Sequence, residues 1–255
     1  MSDMSVMWRM IKRALLWTCA ALGCAAISFG ALIFWPDPLF AYSLHAGKMT
    51  VASDRPTPTV GGELFLHDCE KLLERSPLKA ERHEYRLYVT NARWRQRLFF
   101  LPHPDAWGIA YPPYLGGNAF LTGADFNTGR VVHWGYIGTV PRTLAYLCAH
   151  EFTHVIAGEH LGIRRFLVPQ WAWEGLADYV GIEHRETFEQ LRDALDDRPV
   201  DTSMRIKYGS YPRYRLLVTY FVEKRGWTVD QLLATRLTTN AATQIMKADE
   251  RSEPK

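Results

Sequence analysis

The stretch from Cys148 to His160, CAHEFTHVIAGEH, sets His150, Glu151 and His154 in the spacing H-E-x-x-H. On an α-helix, residues four apart lie one above the other, so both imidazoles can hold one metal ion. Glu151 falls about 100° round the helix from His150, beside the ligand set rather than in it. That pattern suits water activation. Zinc lowers the pKa of a coordinated water to about 7, and a neighbouring carboxylate can take the proton. The expected cofactor is one Zn2+ per chain.

A catalytic zinc site needs a third protein ligand and one open position. The segment WAWEGLADYV, residues 171–180, follows a helix end near Gly162 and a loop through Pro169. Its Glu174 stands twenty residues beyond His154 and is the expected third ligand. His160 is a rival. Asp178, one helical turn after Glu174, is placed to accept the N–H of a ligand histidine and so to orient the ring.

His150, Glu151 and His154, followed by Trp171, Glu174, Gly175, Ala177 and Tyr179, resemble the gluzincin zinc metallopeptidases, the group of thermolysin and the membrane alanyl aminopeptidases. The resemblance covers roughly residues 115–226. It implies a zincin-like domain that hydrolyses peptide bonds, with a peptide or protein as substrate and Glu151 as general base. It also implies a tyrosine on a later helix that donates to the oxyanion. Tyr211, fifteen residues before Gly226, best fits that slot, with Tyr208 and Tyr214 as alternatives, and an aromatic helix face packed in the core is the plain reading. Finally, it implies an edge strand that binds extended substrate. Gly116, Gly117 and Asn118 of GGNAFL are the candidates, against an ordinary strand with a glycine bulge. No Glu or Asp lies within 115–122 to bind a free amine, which disfavours aminopeptidase specificity.

Elements must position these residues. Leu144, Leu147, Val155 and Ile156 make a helix stripe, with Thr139 and Pro141 suited to its N-terminus. Further helices are expected near Trp171, over 186–197, over 211–226 ending at Gly226, and after a Thr228 cap. Strands are expected over 48–54, 84–91, 107–111, 116–123 and 130–137, with one helix over 62–77. The aromatics of 107–114 could line a groove or simply pack. Strands first and helices after imply an α+β fold with a mixed sheet.

Residues 14–35 carry no charge and are long enough to cross a bilayer as a helix. Arg9, Lys12 and Arg13 precede this run, so residues 1–13 are expected in the cytoplasm and the rest outside. A cleaved signal ending near Gly30 and a lipoprotein signal at Cys24 are rivals that place the domain in the same compartment. The expected order is then a linker over 36–48, a catalytic domain over 49–247 and a flexible tail over 248–255. Net charge is +3, which gives no reason to expect a nucleic-acid partner. Cys69 and Cys148 read as two small buried residues in preference to a bridge. Other functions compatible with the residues are a zinc-binding interaction module at the membrane surface and a zinc hydrolase of a non-peptide or cell-wall amide.

Overall fold

The computed structural model describes residues 2–79, 84–133, 136–137, 143–183, 186–196 and 198–252. Thr139 and Pro141 lie outside the described residues. The chain opens with α1 (Ser2–Phe34), whose Met7–Phe34 portion is long and apolar enough to cross a membrane. Then come β1 (Tyr42–Ala46), β2 (Met49–Ser53), α2 (Thr59–Glu74), β3 (Tyr85–Val89), α3 (Arg93–Phe99), β4 (Gly108–Ala110) and β5 (Ala119–Leu121). A small hairpin system follows, β6 (Ala124–Asp125), β7 (Arg130–His133) and β8 (Tyr136–Ile137). The second half is helical: α4 (Leu144–Leu161), α5 (Gln170–Gly181), α6 (Phe188–Leu195), α7 (Thr202–Tyr208), α8 (Pro212–Thr219), α9 (Val229–Ala234) and α10 (Thr239–Ser252). This is a mixed α+β architecture, as the order of sequence signals implies.

The main sheet has the order β1-β2-β3-β5-β4. β2, β3 and β5 run parallel, and β1 and β4 run antiparallel at the two edges. Successive side chains of a strand point to opposite faces. Val51, Leu87, Val89, Ala119 and Leu121 therefore share one core with α2 and α4, while Ala52, Tyr88 and Phe120 share another with Phe40, Phe99 and Phe100. Ile33, from the last turn of α1, is buried in that second core. This long apolar helix thus ends inside the fold. Residues 36–48, expected as a linker, instead supply β1.

One expectation about the strands needs correction. The segment 116–121 is not an edge: β5 is paired on both sides, by β3 and β4. The edge is β4. The hydrogen bonds from Tyr111 N to Asn118 O and from Thr122 N to Trp107 O direct one set of backbone groups toward β5. By strand periodicity Ile109 points the same way, so Gly108 and Ala110 turn their N–H and C=O outward.

Helix starts follow local capping. Thr143 accepts from Tyr146 N at 3.0 Å and begins α4. Thr187 with Gln190, and Thr228 with Gln231, form reciprocal capping boxes for α6 and α9. After α8 the chain continues through a wider π turn, Tyr220–Lys224, and Gly226 takes a left-handed φ of 68°. α5 and α8 cross closely. A β-carbon on Gly175 would lie 2.5 Å from the carbonyl oxygen of Tyr214, so only glycine fits there. Cys69 and Cys148 are both buried, with their sulfurs in contact at 2.7 Å. They join α2 to α4 two residues before His150.

Candidate metal centre

α4 carries His150, Glu151 and His154, and α5 crosses it to bring in Glu174. Nε2 of His150 and Nε2 of His154 each lie 3.4 Å from Oε2 of Glu174. One ligand atom from each of the three residues lies within 4.8 Å of the others. Two ligand atoms about 2.1 Å from a common ion, at a tetrahedral angle, are separated by about 3.4 Å. The donor set therefore fits a metal ion, and among the described residues it has three members. His160 is elsewhere: its Nε2 lies 2.6 Å from Asp230 on the surface.

The supporting residues hold this geometry. Asp178 is wholly buried, and its Oδ1 lies 3.0 Å from Nδ1 of His150. The same carboxylate accepts from Tyr146 O–H and from the backbone N–H of Tyr211. It thus ties α4, α5 and the start of α8 together under the ligands. Trp173 stacks on His154 with ring centroids 4.8 Å apart and planes 16° from parallel. Trp171, which belongs to the sequence pattern, is instead a core residue whose indole donates to the carbonyl of Leu237 at 2.8 Å. The contact made by Trp173 was missed because two tryptophans two apart on a helix give no sign of which faces the ligand.

The electrostatics favour a cation. Burial works against a charged His150, but Asp178 and Glu174 outweigh it and raise the imidazole to about 10. Burial also opposes ionisation of Glu174, yet the two histidines hold its carboxyl well below the usual range. The carboxylates of Asp178 and Glu174 on either side of the His150 ring favour a positive charge there. A divalent ion can supply that charge and release the proton. Replacing Asp178 by Asn removes one of those charges and leaves an N–H facing donors. Metal affinity is expected to fall about 10–100-fold, read by competition with a chromophoric chelator.

Glu151 is buried as well, and burial raises its pKa while His150 and His154 oppose the shift. Its carboxylate lies directly under β4: a β-carbon on Gly108 would come within 2.5 Å of Oε1. His150, Glu151, His154, Glu174 and Tyr211 all line one cavity of about 650 Å³, together with Gly108, Ile109 and Ala110. Of the three candidate tyrosines, only Tyr211 lines it, with its ring stacked toward His150 at 6.2 Å. Gly116, Gly117 and Asn118 do not line it. The amide of Asn118 donates to Ile33 O at 2.9 Å, and Gly116 lies against Phe34, so this segment holds the end of α1. The strand beside the site is β4, which carries no sequence motif.

Compared with known proteins, the chain matches no family model. No curated protein is significantly similar to it either. The site therefore rests on its own geometry.

Proposed function

We propose that this chain is a membrane-anchored zinc metallopeptidase of gluzincin type, with its catalytic domain outside the cytoplasm and α1 as the anchor. One observation carries the reading. A cluster of three metal-donor residues opens, with a buried carboxylate beside it, into a cavity bordered by a strand edge that has no partner strand among the described residues. A purely structural zinc site closes with four protein ligands and has no use for Glu151. Two imidazoles and a carboxylate suit zinc among the common divalent ions.

Zinc held by His150, His154 and Glu174 would polarise the scissile carbonyl and acidify a water molecule. The chain's own groups do the rest. Gly108 and Ala110 offer backbone N–H and C=O to an extended peptide, which adds as a further strand at β4. Glu151, with its pKa raised by burial, takes the proton from the attacking water and returns it to the departing amine. Tyr211 donates its hydroxyl to the carbonyl oxygen as negative charge builds there. Asp178 keeps His150 in one tautomer. Arg9, Lys12 and Arg13, in the first part of α1 ahead of its uncharged run, support the inward N-terminus.

The test is cleavage of a mixed peptide library by the full chain, before and after chelation and after zinc is restored. Cleavage that disappears with the chelator and returns with zinc supports the reading. Zinc bound stoichiometrically with no cleavage of any peptide would favour a binding module.

A further inference from the structure

The end of α1, the turn 113–115 and the last turn of α4 meet at one end of the sheet. Asn118, which binds the last carbonyls of α1, immediately precedes β5. Tyr85, the first residue of β3, donates its hydroxyl to Glu159 near the end of α4 at 3.3 Å. Pro113 lies against Gly158 of α4. β3 and β5 thus both start at the end of the domain where α1 leaves the fold.

The segment that follows α4 at this end is Gly162–Leu167, a short tight helical turn with the sequence GIRRFL. Its apolar side chains face outward: Ile163 is 77% exposed, Phe166 67% and Leu167 57%. Tyr114, whose ring lies 6.0 Å from the Arg165 guanidinium, is exposed too, as is Trp35, which lines a pocket with Gly116 just beyond the turn 113–115. Scattered single apolar residues on a surface need no explanation, but three within five residues, beside an aromatic helix terminus, form a patch. Arg164 and Arg165 sit among them, and neither is paired with a carboxylate among the described residues. The Arg165 guanidinium lies 4.6 Å from the ring of Phe166 and 6.0 Å from that of Tyr114.

We infer that Gly162–Leu167 is a second membrane contact, which dips Ile163, Phe166 and Leu167 into the outer surface of the bilayer that α1 crosses. This rests on the reading of α1 as a retained anchor. The combination fits a phospholipid surface: apolar and aromatic side chains reach the acyl boundary, and Arg164 meets anionic headgroups. Trp35 marks the same depth where α1 emerges. Two contacts at one end fix the domain's tilt, where a single helix would leave it free to swing. Arg165 also lines the catalytic cavity, so one wall of the site lies next to lipid. The substrate class that follows is polypeptide held close to the membrane surface.

The experiment uses the full chain reconstituted in vesicles of phosphatidylcholine with phosphatidylglycerol. A photoreactive benzoylphenylalanine replaces Phe166, Leu22 or Val60 in separate preparations. Leu22 reports the bilayer core through α1. Val60 is as exposed as the patch but lies in the first turn of α2, after the far end of β2. After irradiation, phospholipid adducts are expected at positions 22 and 166 and not at 60. Adducts at 22 without any at 166, or a crosslink from 166 to a second copy of the chain, would overturn the inference while leaving the anchor intact. No adduct at 22 would remove the anchor and the inference together. Ile163→Glu combined with Leu167→Glu should cut the yield at 166 at least several-fold, and an unchanged yield counts against the inference.

Discussion

Glu151→Gln is expected to keep its zinc and lose about 10²–10⁴-fold in kcat/KM toward a peptide substrate. The amide has nearly the same shape as the carboxylate, so the cavity under β4 stays filled. His150, His154 and Glu174 are untouched, so metal content should match the wild type. On the proposed mechanism, what disappears is the acceptor for the water proton. The pH profile gives an independent check. Only ionised Glu151 is a base, so activity rises as pH climbs through its pKa, and burial sets that pKa above the ordinary carboxylate range. The acidic limb belonging to Glu151 should be absent from the residual activity of the variant. Unchanged cleavage by Glu151→Gln would remove Glu151 from the mechanism.

The second large effect is expected from a residue that performs no chemistry. In Gly108→Ala, the new β-carbon would lie 2.5 Å from Oε1 of Glu151, 2.8 Å from its Cγ and 2.9 Å from its Cδ. Real β-carbons do not approach heavy atoms so closely. The crowding reaches Cγ, so turning the carboxylate alone cannot relieve it. Either Glu151 swings away from the metal or β4 moves off α4. A displacement of about 1 Å at a catalytic group can cost about 10²-fold, and that is the expected loss in kcat/KM. Zinc affinity should stay within a few-fold of the wild type, because Gly108 faces the base and not the ligands. Steady-state kinetics beside a metal titration separates the two effects. Wild-type rates from Gly108→Ala would mean that the base and the edge strand are not coupled as described.

The metal cluster was legible in the sequence because helical periodicity is strict. Residues four apart on α4 share a face whatever surrounds them, and the Glu174–Asp178 spacing repeats the same rule on α5. The edge strand was not legible. Residues 107–111 and 116–123 both read as short strands, and nothing local says which pairs on two sides. That depends on β5 aligning with β3, a long-range pairing. The glycines at 116 and 117 drew attention, yet both have positive φ and form the bend beside the end of α1. Gly108, the glycine that matters to Glu151, sits inside a strand with no flag on it.

Other misses have local causes. β1 is an edge strand with mostly exposed side chains, and Pro36 and Pro38 before it suggest a connector. α10 buries only Ala242 and Met246, so its polar sequence reads as loop and tail, although the helix runs to Ser252. α7 is seven residues long and starts at an Asp201 cap that receives the N–H of Met204 at 2.8 Å. So short a helix leaves too few turns for a periodic signal.

Metal analysis of the purified full chain tests the central claim most directly. Zinc is measured by plasma mass spectrometry in the wild type and in a His154→Ala, Glu174→Gln double variant, after dialysis against trace zinc at neutral pH. The account predicts close to one zinc per chain in the wild type and little in the variant. A wild type without zinc, or a variant that retains as much as the wild type, would contradict it.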